Sequence, residues 1–176
     1  MSKVFLEYIW LDGNNPQNLR SKTKVVDNTE ILERDGNGKQ GYPESYPLWS
    51  FDGSSTKQAK AGKGENTDCI LKPVRVCQNP LNKGVIDSYL VLCEVMNPDG
   101  TPHSTNTRSL IGQEQEDLWF GFEQEYTIVK DGRPLGFPLN GYPEPQGKYY
   151  CGVGNGQVNG REFVEKHMEI CTASGI

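Results

Sequence analysis

What the 176-residue sequence lacks narrows its function before any motif is considered. It has no excess of positive charge: 18 lysines and arginines stand against 23 acids, for a net charge of -5, and the basic residues are scattered singly. A surface without a basic stripe has little electrostatic grip on a phosphate backbone, which argues against nucleic acid as a partner. No apolar run approaches the ~20 residues that a bilayer crossing needs. The first ten residues, MSKVFLEYIW, place an acid and aromatics where a signal peptide needs a plain apolar segment. No membrane partner and a cytoplasmic location are therefore expected. Cys69, Cys77, Cys93, Cys151 and Cys171 form an odd set without CxxC spacing or a histidine cluster, so they are read as reduced structural thiols. The glycines follow neither GxGxxG nor a P-loop pattern and imply no nucleotide by themselves.

What is present organises the chain as α+β. Lys3 to Leu11 alternates, with Val4, Leu6, Tyr8 and Trp10 on one side and Lys3 and Glu7 on the other, the period of a half-buried strand. Lys22 to Val26 predicts a second strand, and Asp27 to Pro47, polar and punctuated by glycine and proline, a long surface connection. Tyr89 to Met96 predicts a more apolar strand. It ends at NPDG, where Pro98 and Gly100 suit the second and fourth positions of a type I turn. Residues 1–100 are thus expected to form one strand-rich domain, 101–116 a linker and 117–176 the beginning of a second domain. In that second part, Trp119 to Val129 predicts a strand, Asp131-Gly132 a tight hairpin turn, and Gly160 to Ser174 an amphipathic helix with Asn159 as N-cap and Gly175 as stop. His167 on that helix is read as a packing residue. One hairpin gives such a helix little sheet to cover, so the C-terminal part reads as the start of a domain.

Three stretches carry chemistry. On a strand, Glu123 and Glu125 in WFGFEQEYTIV would share a face, about 6.5–7 Å apart at Cα. Like charges that close raise each other's pKa unless a cation lies between them, and hard oxygen ligands suit Mg²⁺ or Mn²⁺. The plainer alternative is a strand whose acids face solvent and whose Phe120, Phe122 and Tyr126 face the core. In WSFDGSST, Asp52 can accept hydrogen bonds from the N–H groups that follow it, an Asx-type turn. As an ionised group set against aromatics, it could equally bind or deprotonate a small cation. The glycine-rich PQGKYYCGVGNG presents Tyr149 and Tyr150 and suits backbone contact with a ligand or a surface loop.

Taken together and in this order, YPLWSFDGSST, WFGFEQEY, GFPLNGYPEPQGKYYCGVG and GREFVEKHMEICTASGI resemble glutamine synthetase of the eukaryote-type (type II) class. EYIWLDG and RSKTK extend the resemblance to nearly the whole chain, as the N-terminal portion of such an enzyme. It implies an N-terminal β-grasp domain followed by a catalytic domain of antiparallel strands. It also implies a reaction: ATP converts L-glutamate to γ-glutamyl phosphate, and ammonia displaces phosphate to give glutamine. Glu123 then matches a metal ligand bordering the nucleotide, Glu125 the ligand of another Mg²⁺ or Mn²⁺, and Trp119 an aromatic near ATP. Asp52 matches the loop aspartate that binds ammonium and helps remove its proton, with Ser55 beside it. Tyr150, or else Tyr149, matches a tyrosine of the ammonium pocket. The resemblance implies a homo-oligomer of stacked pentameric rings in which the Asp52 loop completes the neighbouring subunit's site.

The departure from the family is in what does not follow. The further metal-binding glutamates and histidine, and the arginines that hold glutamate and the phosphoryl group, have no counterparts here, so this chain alone is expected to be catalytically incomplete. The alternatives are a non-catalytic glutamine-synthetase-like module that binds or regulates full-length subunits, and an unrelated carbohydrate- or phosphate-binding domain.

Overall fold

The computed structural model describes residues 2–31, 43–60, 66–82, 84–111, 117–143 and 150–175. The chain divides into two compact units, Met1–Glu114 with Ala173–Gly175, and Gln115–Thr172 with Ile176. Among the described residues, five paired strands in one sheet, a small hairpin and one α-helix make the architecture α+β.

The first unit is a mixed five-stranded sheet. Its strands are β1 (Lys3–Leu11), β2 (Leu19–Asp27), β3 (Trp49–Asp52), β4 (Asp68–Gln78) and β5 (Asp87–Met96), in the order β2-β1-β5-β4-β3. β1 runs parallel to β5, and every other neighbour is antiparallel. The alternation read from β1 holds, since Val4, Leu6, Tyr8 and Trp10 are all buried. They meet Val26, Phe51, Cys69, Leu71, Val76, Val91, Cys93 and Val95 in one core. The sheet curls around this core until its two edges approach each other. Lys22 on β2 donates to the carbonyl of Ser50 on β3, and its ammonium lies 3.5 Å from the Trp49 ring centroid. Inside the curl, Tyr8 meets Trp49 edge-on at 5.4 Å and donates from its hydroxyl to Pro47 O at 2.5 Å, while Trp10 lies 4.8 Å from Phe51. Such ring pairs add about 0.5–1.5 kcal/mol each beyond their burial.

Strand β4 escapes sequence reading for a physical reason. Its buried positions run Cys69, Leu71, Pro73 and then Val76. Between Pro73 and Arg75 the register with β5 shifts, so the inward phase changes from odd to even residues. A bulge of this kind hides a strand from any period-2 count, and a proline mid-run argues against a strand at all. The turn after β5 forms as expected, with Gly100 N–H donating to Asn97 O at 2.9 Å and Gly100 at φ 82°. Residues 101–111 then fold back onto the sheet. Pro102 bridges to Met96, and His103 N–H donates to Val95 O at 3.1 Å. Residues 112–116, the rest of the expected linker, lie outside the described residues.

The second unit contains β6 (Val129–Lys130) paired with β7 (Arg133–Pro134), and α1 (Arg161–Ala173). Asp131 at φ 52° and Gly132 at φ 76° make the hairpin turn with both central residues left-handed, the twist that matches the flanking strands. The expected strand from Trp119 is not formed. Residues 118–128 carry no helix or strand, and only Val129 and Lys130 at the end of the stretch are paired. A strand is defined by hydrogen-bonded neighbours, and among the described residues the stretch has such a bond only at its end, where Leu135 N–H donates to Ile128 O at 2.7 Å. Asn159 is not the N-cap of α1 either. The Gly160 carbonyl accepts from Val164 N–H at 3.3 Å, so Gly160, at φ 73°, is the residue that caps the helix. Gly175, at φ 81°, stands just beyond the helix end as the sequence suggested.

Candidate functional site

The most fully constructed loop of the first unit is the one that carries Asp52. β3 ends at Asp52, a 3-10 turn runs from Gly53 to Thr56, and Lys57 leaves it in the left-handed conformation at φ 58°. Asp52 caps this turn, accepting the Ser54 N–H at 2.9 Å. The Asx-type turn expected from the sequence is therefore present. The Ser54 hydroxyl, then the Ser54 N–H and the Thr67 side chain, hold the Asp52 carboxyl below the usual carboxylate range. Ser55 adds a further hydrogen bond, and the total outweighs the opposing effect of burial. Asp52 is thus an ionised, solvent-facing acceptor at neutral pH, and the structure brings Ser55 to its side.

Close approach explains the glycine that follows. Gly53 is buried and donates its N–H to Thr67 O at 2.8 Å. A Cβ there would stand 2.7 Å from Cys69 Sγ and 3.1 Å from Thr67 O. The Gly53 carbonyl in turn accepts from Gln58 N–H at 2.8 Å and Ala59 N–H at 3.1 Å. Burial pushes the Cys69 thiol up, and pushes that of Cys93 up to about 12, so neither offers a thiolate nucleophile. All five cysteines are unpaired.

Sequence reasoning missed the groups that anchor this loop. Gln58, 5% exposed, donates from Nε2 to Leu11 O at 3.1 Å and Thr105 Oγ1 at 2.9 Å, and accepts from Thr56 Oγ1 at 2.8 Å. His103 Nε2 lies 2.6 Å from Gln58 O, and the Thr105 N–H donates to His103 Nδ1 at 3.1 Å. A carbonyl oxygen can only accept, so Nε2 carries the imidazole proton and Nδ1 the lone pair. No local pattern marks these residues, because Gln58 meets its partners across 45 and 47 positions of sequence.

Beside this network lies Asp12, whose side chain is fully buried. It accepts from the Asn14 N–H at 3.0 Å, the Asn14 amide at 2.6 Å, the Asn18 N–H at 2.9 Å and Arg20 Nε at 2.9 Å. Burial alone would raise its pKa. The hydrogen bonds from Asn18, Asn14 and Arg20 reverse this and hold the carboxyl well below the usual range. The next residue, Gly13, donates its N–H to Thr56 O at 2.8 Å, which locks the β1–β2 turn to the Asp52 loop. The sequence signal was available here: Asp-Gly directly after a strand, followed by asparagines, is turn chemistry.

The other candidate residues belong to the second unit. Glu123 and Glu125 are exposed on the unpaired stretch before β6, so strand alternation does not fix their faces. Phe120 is 77% exposed, Phe122 93% and Tyr126 50%, so the aromatics expected to face the core are not buried within this unit, and Trp119 and Tyr150 are exposed as well. Tyr149 lies outside the described residues. The two carboxylates have the hard-oxygen chemistry that Mg²⁺ or Mn²⁺ takes, but they amount to two ligands, and such ions take six or more. No group of three His, Cys, Asp or Glu side chains able to hold a metal occurs among the described residues. The donor set therefore fits a metal site only in part. Among the described residues no helix is long and apolar enough to cross a membrane.

No family model matches the chain. Curated proteins do. The chain is 50% identical to a glutamine synthetase of Rhizobium meliloti across 100% of its own residues and 50% of that protein. It is 47% identical to one of Streptomyces viridochromogenes, across 97% of the chain and 47% of the relative. To a chloroplastic glutamine synthetase of Chlamydomonas reinhardtii it is 44% identical, across 97% of the chain and 45% of the relative. The chain spans about half the length of the curated relatives it matches. Homologous over 97–100% of its residues to bacterial and algal glutamine synthetases, the chain belongs to the glutamine synthetase family.

Proposed function

We propose that this chain works as part of a cytoplasmic glutamate–ammonia ligase, in which ATP phosphorylates L-glutamate to γ-glutamyl phosphate and ammonia displaces phosphate to give glutamine. The observation that carries this reading is 44–50% identity to glutamine synthetases over nearly every residue. In this reading the curled sheet of the first unit is a β-grasp domain, and residues 117–176 begin an antiparallel-sheet catalytic domain.

The chain's own residues take distinct parts. Asp52, ionised and held in place by Ser54 and Ser55, binds the ammonium ion and accepts one of its protons as ammonia forms. Ser55 steadies the carboxylate. Tyr150 lines the ammonium pocket, and Trp119 offers a face to the nucleotide. Glu123 and Glu125 would each ligate Mg²⁺ or Mn²⁺, with Glu123 also next to the nucleotide. A bound cation of this kind supplies charge neutralisation for the transferring phosphoryl group, whose transfer depends mainly on positioning and charge. The apolar residues around Asp52 suit an interface, as a homo-oligomer of stacked pentameric rings requires.

Phosphate release that needs glutamate, ammonium, ATP and Mg²⁺ together is the expected signature of the assembled protein. The 176-residue chain alone is expected to show none, because two carboxylates make up only part of a metal shell. Robust turnover by it would overturn the assignment of Glu123 and Glu125 as part of a larger ligand set. In the active assembly, Asp52→Ala should raise the KM for ammonium on the order of tenfold while leaving that for ATP near its original value, as expected for loss of one charged contact. An equal loss for both substrates would remove Asp52 from the ammonium role.

One observation favours a second reading, a non-catalytic module that binds or regulates full-length subunits: the described residues contain no complete metal-ligand group. Suppression or activation of a full-length glutamine synthetase by the added chain would separate it from the first.

A further inference from the structure

The Asp52 loop is short and exposed at its tip, and Asp52 itself is held in a defined geometry. Asp52 is paired with Asp68 on β4, but β3 has only four residues and lies at the sheet edge, so the residues that follow Asp52 need support from beyond the strand. We propose that Gln58 is the positioning residue of the Asp52 loop, with Thr105 and His103 as anchors brought from the segment after β5. In functional terms this rests on the reading of Asp52 as the ammonium-binding group; in structural terms it stands on the hydrogen bonds alone.

Gln58 closes the loop from inside and ties it down from outside. Its N–H donates to Gly53 O and its Oε1 accepts from Thr56 Oγ1, so the two ends of the 3-10 turn converge on one residue. Its Nε2 then spans two backbone regions distant in sequence, Leu11 O at the end of β1 and Thr105 Oγ1. Gln58 O accepts from His103 Nε2–H. Each bond holds a neighbour as well. Gln17 Nε2 donates to Thr105 O at 3.0 Å and to Asp12 O at 2.9 Å, so the β1–β2 turn, the Asp52 loop and residues 103–105 form one polar clamp. Gln58 is 5% exposed, so its amide has no water to fall back on if these partners are removed. The clamp sits one turn of chain away from Asp52 and touches neither its carboxylate nor the solvent face where a ligand would arrive. Its action on the site is therefore through position.

The test is local hydrogen exchange in the 176-residue chain, read by NMR or mass spectrometry. Gln58→Leu keeps the side chain's bulk and removes its polar atoms. Thr105→Val removes one anchor from outside the loop and so covers the case in which the first variant does not fold. Both should accelerate exchange of the Gly53 and Ser54 amides on the order of tenfold, the effect of losing a net hydrogen bond from a local opening. Core amides of β1 and β5 should exchange at the original rate, and Thr105→Ser, which restores the hydroxyl, should return the loop to normal. Uniform acceleration across the sheet would mean that Gln58 only adds global stability, and unchanged loop exchange would mean that it positions nothing; either overturns the proposal. The ammonium reading can fail separately. If Asp52→Ala leaves ammonium use intact while the exchange result holds, the clamp stands and Asp52 loses its role.

Discussion

Alanine at position 13 should destabilise the first unit by about 1–3 kcal/mol, the usual range for forcing extra atoms into a packed place. Gly13 is not in the left-handed backbone region that only glycine favours, since no positive φ is recorded for it. Conformation alone would therefore permit alanine, and the loss of unfolded-state freedom would even stabilise the protein by about 0.4–1 kcal/mol. Space decides the sign. A Cβ on Gly13 would overlap the Lys57 carbonyl oxygen and stand 2.7 Å from Lys57 C and 3.1 Å from Gln58 Cγ. The two nearest are backbone atoms of a loop clamped on several sides, so the clash cannot be relieved by rotating a flexible side chain. Either the β1–β2 turn moves and breaks the Gly13 N–H bond to Thr56 O, or the Asp52 loop moves. Gly121→Ala is the control, because nothing lies within 4 Å of the added methyl and no positive φ is recorded there. Urea midpoints of the two variants should separate clearly. An unchanged midpoint for Gly13→Ala would show that turn and loop do not touch in solution.

The same contact shows how far the sequence could be read. Elements whose signal is local were legible: the alternation of β1, the apolar run of β5, the Asn97–Gly100 turn, the Asp131-Gly132 hairpin and the stripe of α1. Each depends on residues two to four apart. β4 was not legible because the bulge at Pro73 reverses its phase, and β3 is too short for a period to register. The stretch Trp119–Ile128 fails in the opposite direction, since its pattern suits a strand but, apart from the Leu135 N–H bond to Ile128 O at its end, it forms no ladder among the described residues. For the candidate site, the Asp52 turn followed from Asp, Gly and hydroxyl residues in a row. Gln58, Thr105 and His103 did not, because a polar clamp assembled across 45 to 47 positions leaves no periodic trace. The pairing of Glu123 with Glu125 as metal ligands is a proposal from their chemistry; neither lies in a paired strand, so strand geometry does not set their orientation.

Acid should destabilise the first unit through Asp12 more than through any exposed carboxylate. The unfolded carboxyl titrates near the ordinary value of about 3.9. In the folded unit the Asn18, Asn14 and Arg20 hydrogen bonds hold it well below that, against the opposing effect of burial. With the folded pKa depressed, the unfolded state binds the proton more readily. The stabilisation is therefore fully present above about pH 4 and is lost as pH falls toward the folded pKa. Asp52 and Asp99 are likewise held below the usual range by hydrogen bonds, so the melting profile of the original protein alone cannot isolate Asp12. The difference between the original protein and Asp12→Asn can, because those groups contribute equally to both. Asparagine keeps one acceptor oxygen, loses the charge facing Arg20, and turns an N–H toward donors already aimed at that position. The variant should be the less stable at neutral pH, and the gap should close as pH falls from about 4 toward 2. A gap that stayed constant over that range would mean that the charge on Asp12 contributes nothing. The buried turn beneath the Asp52 loop would then be held by shape and neutral hydrogen bonds alone.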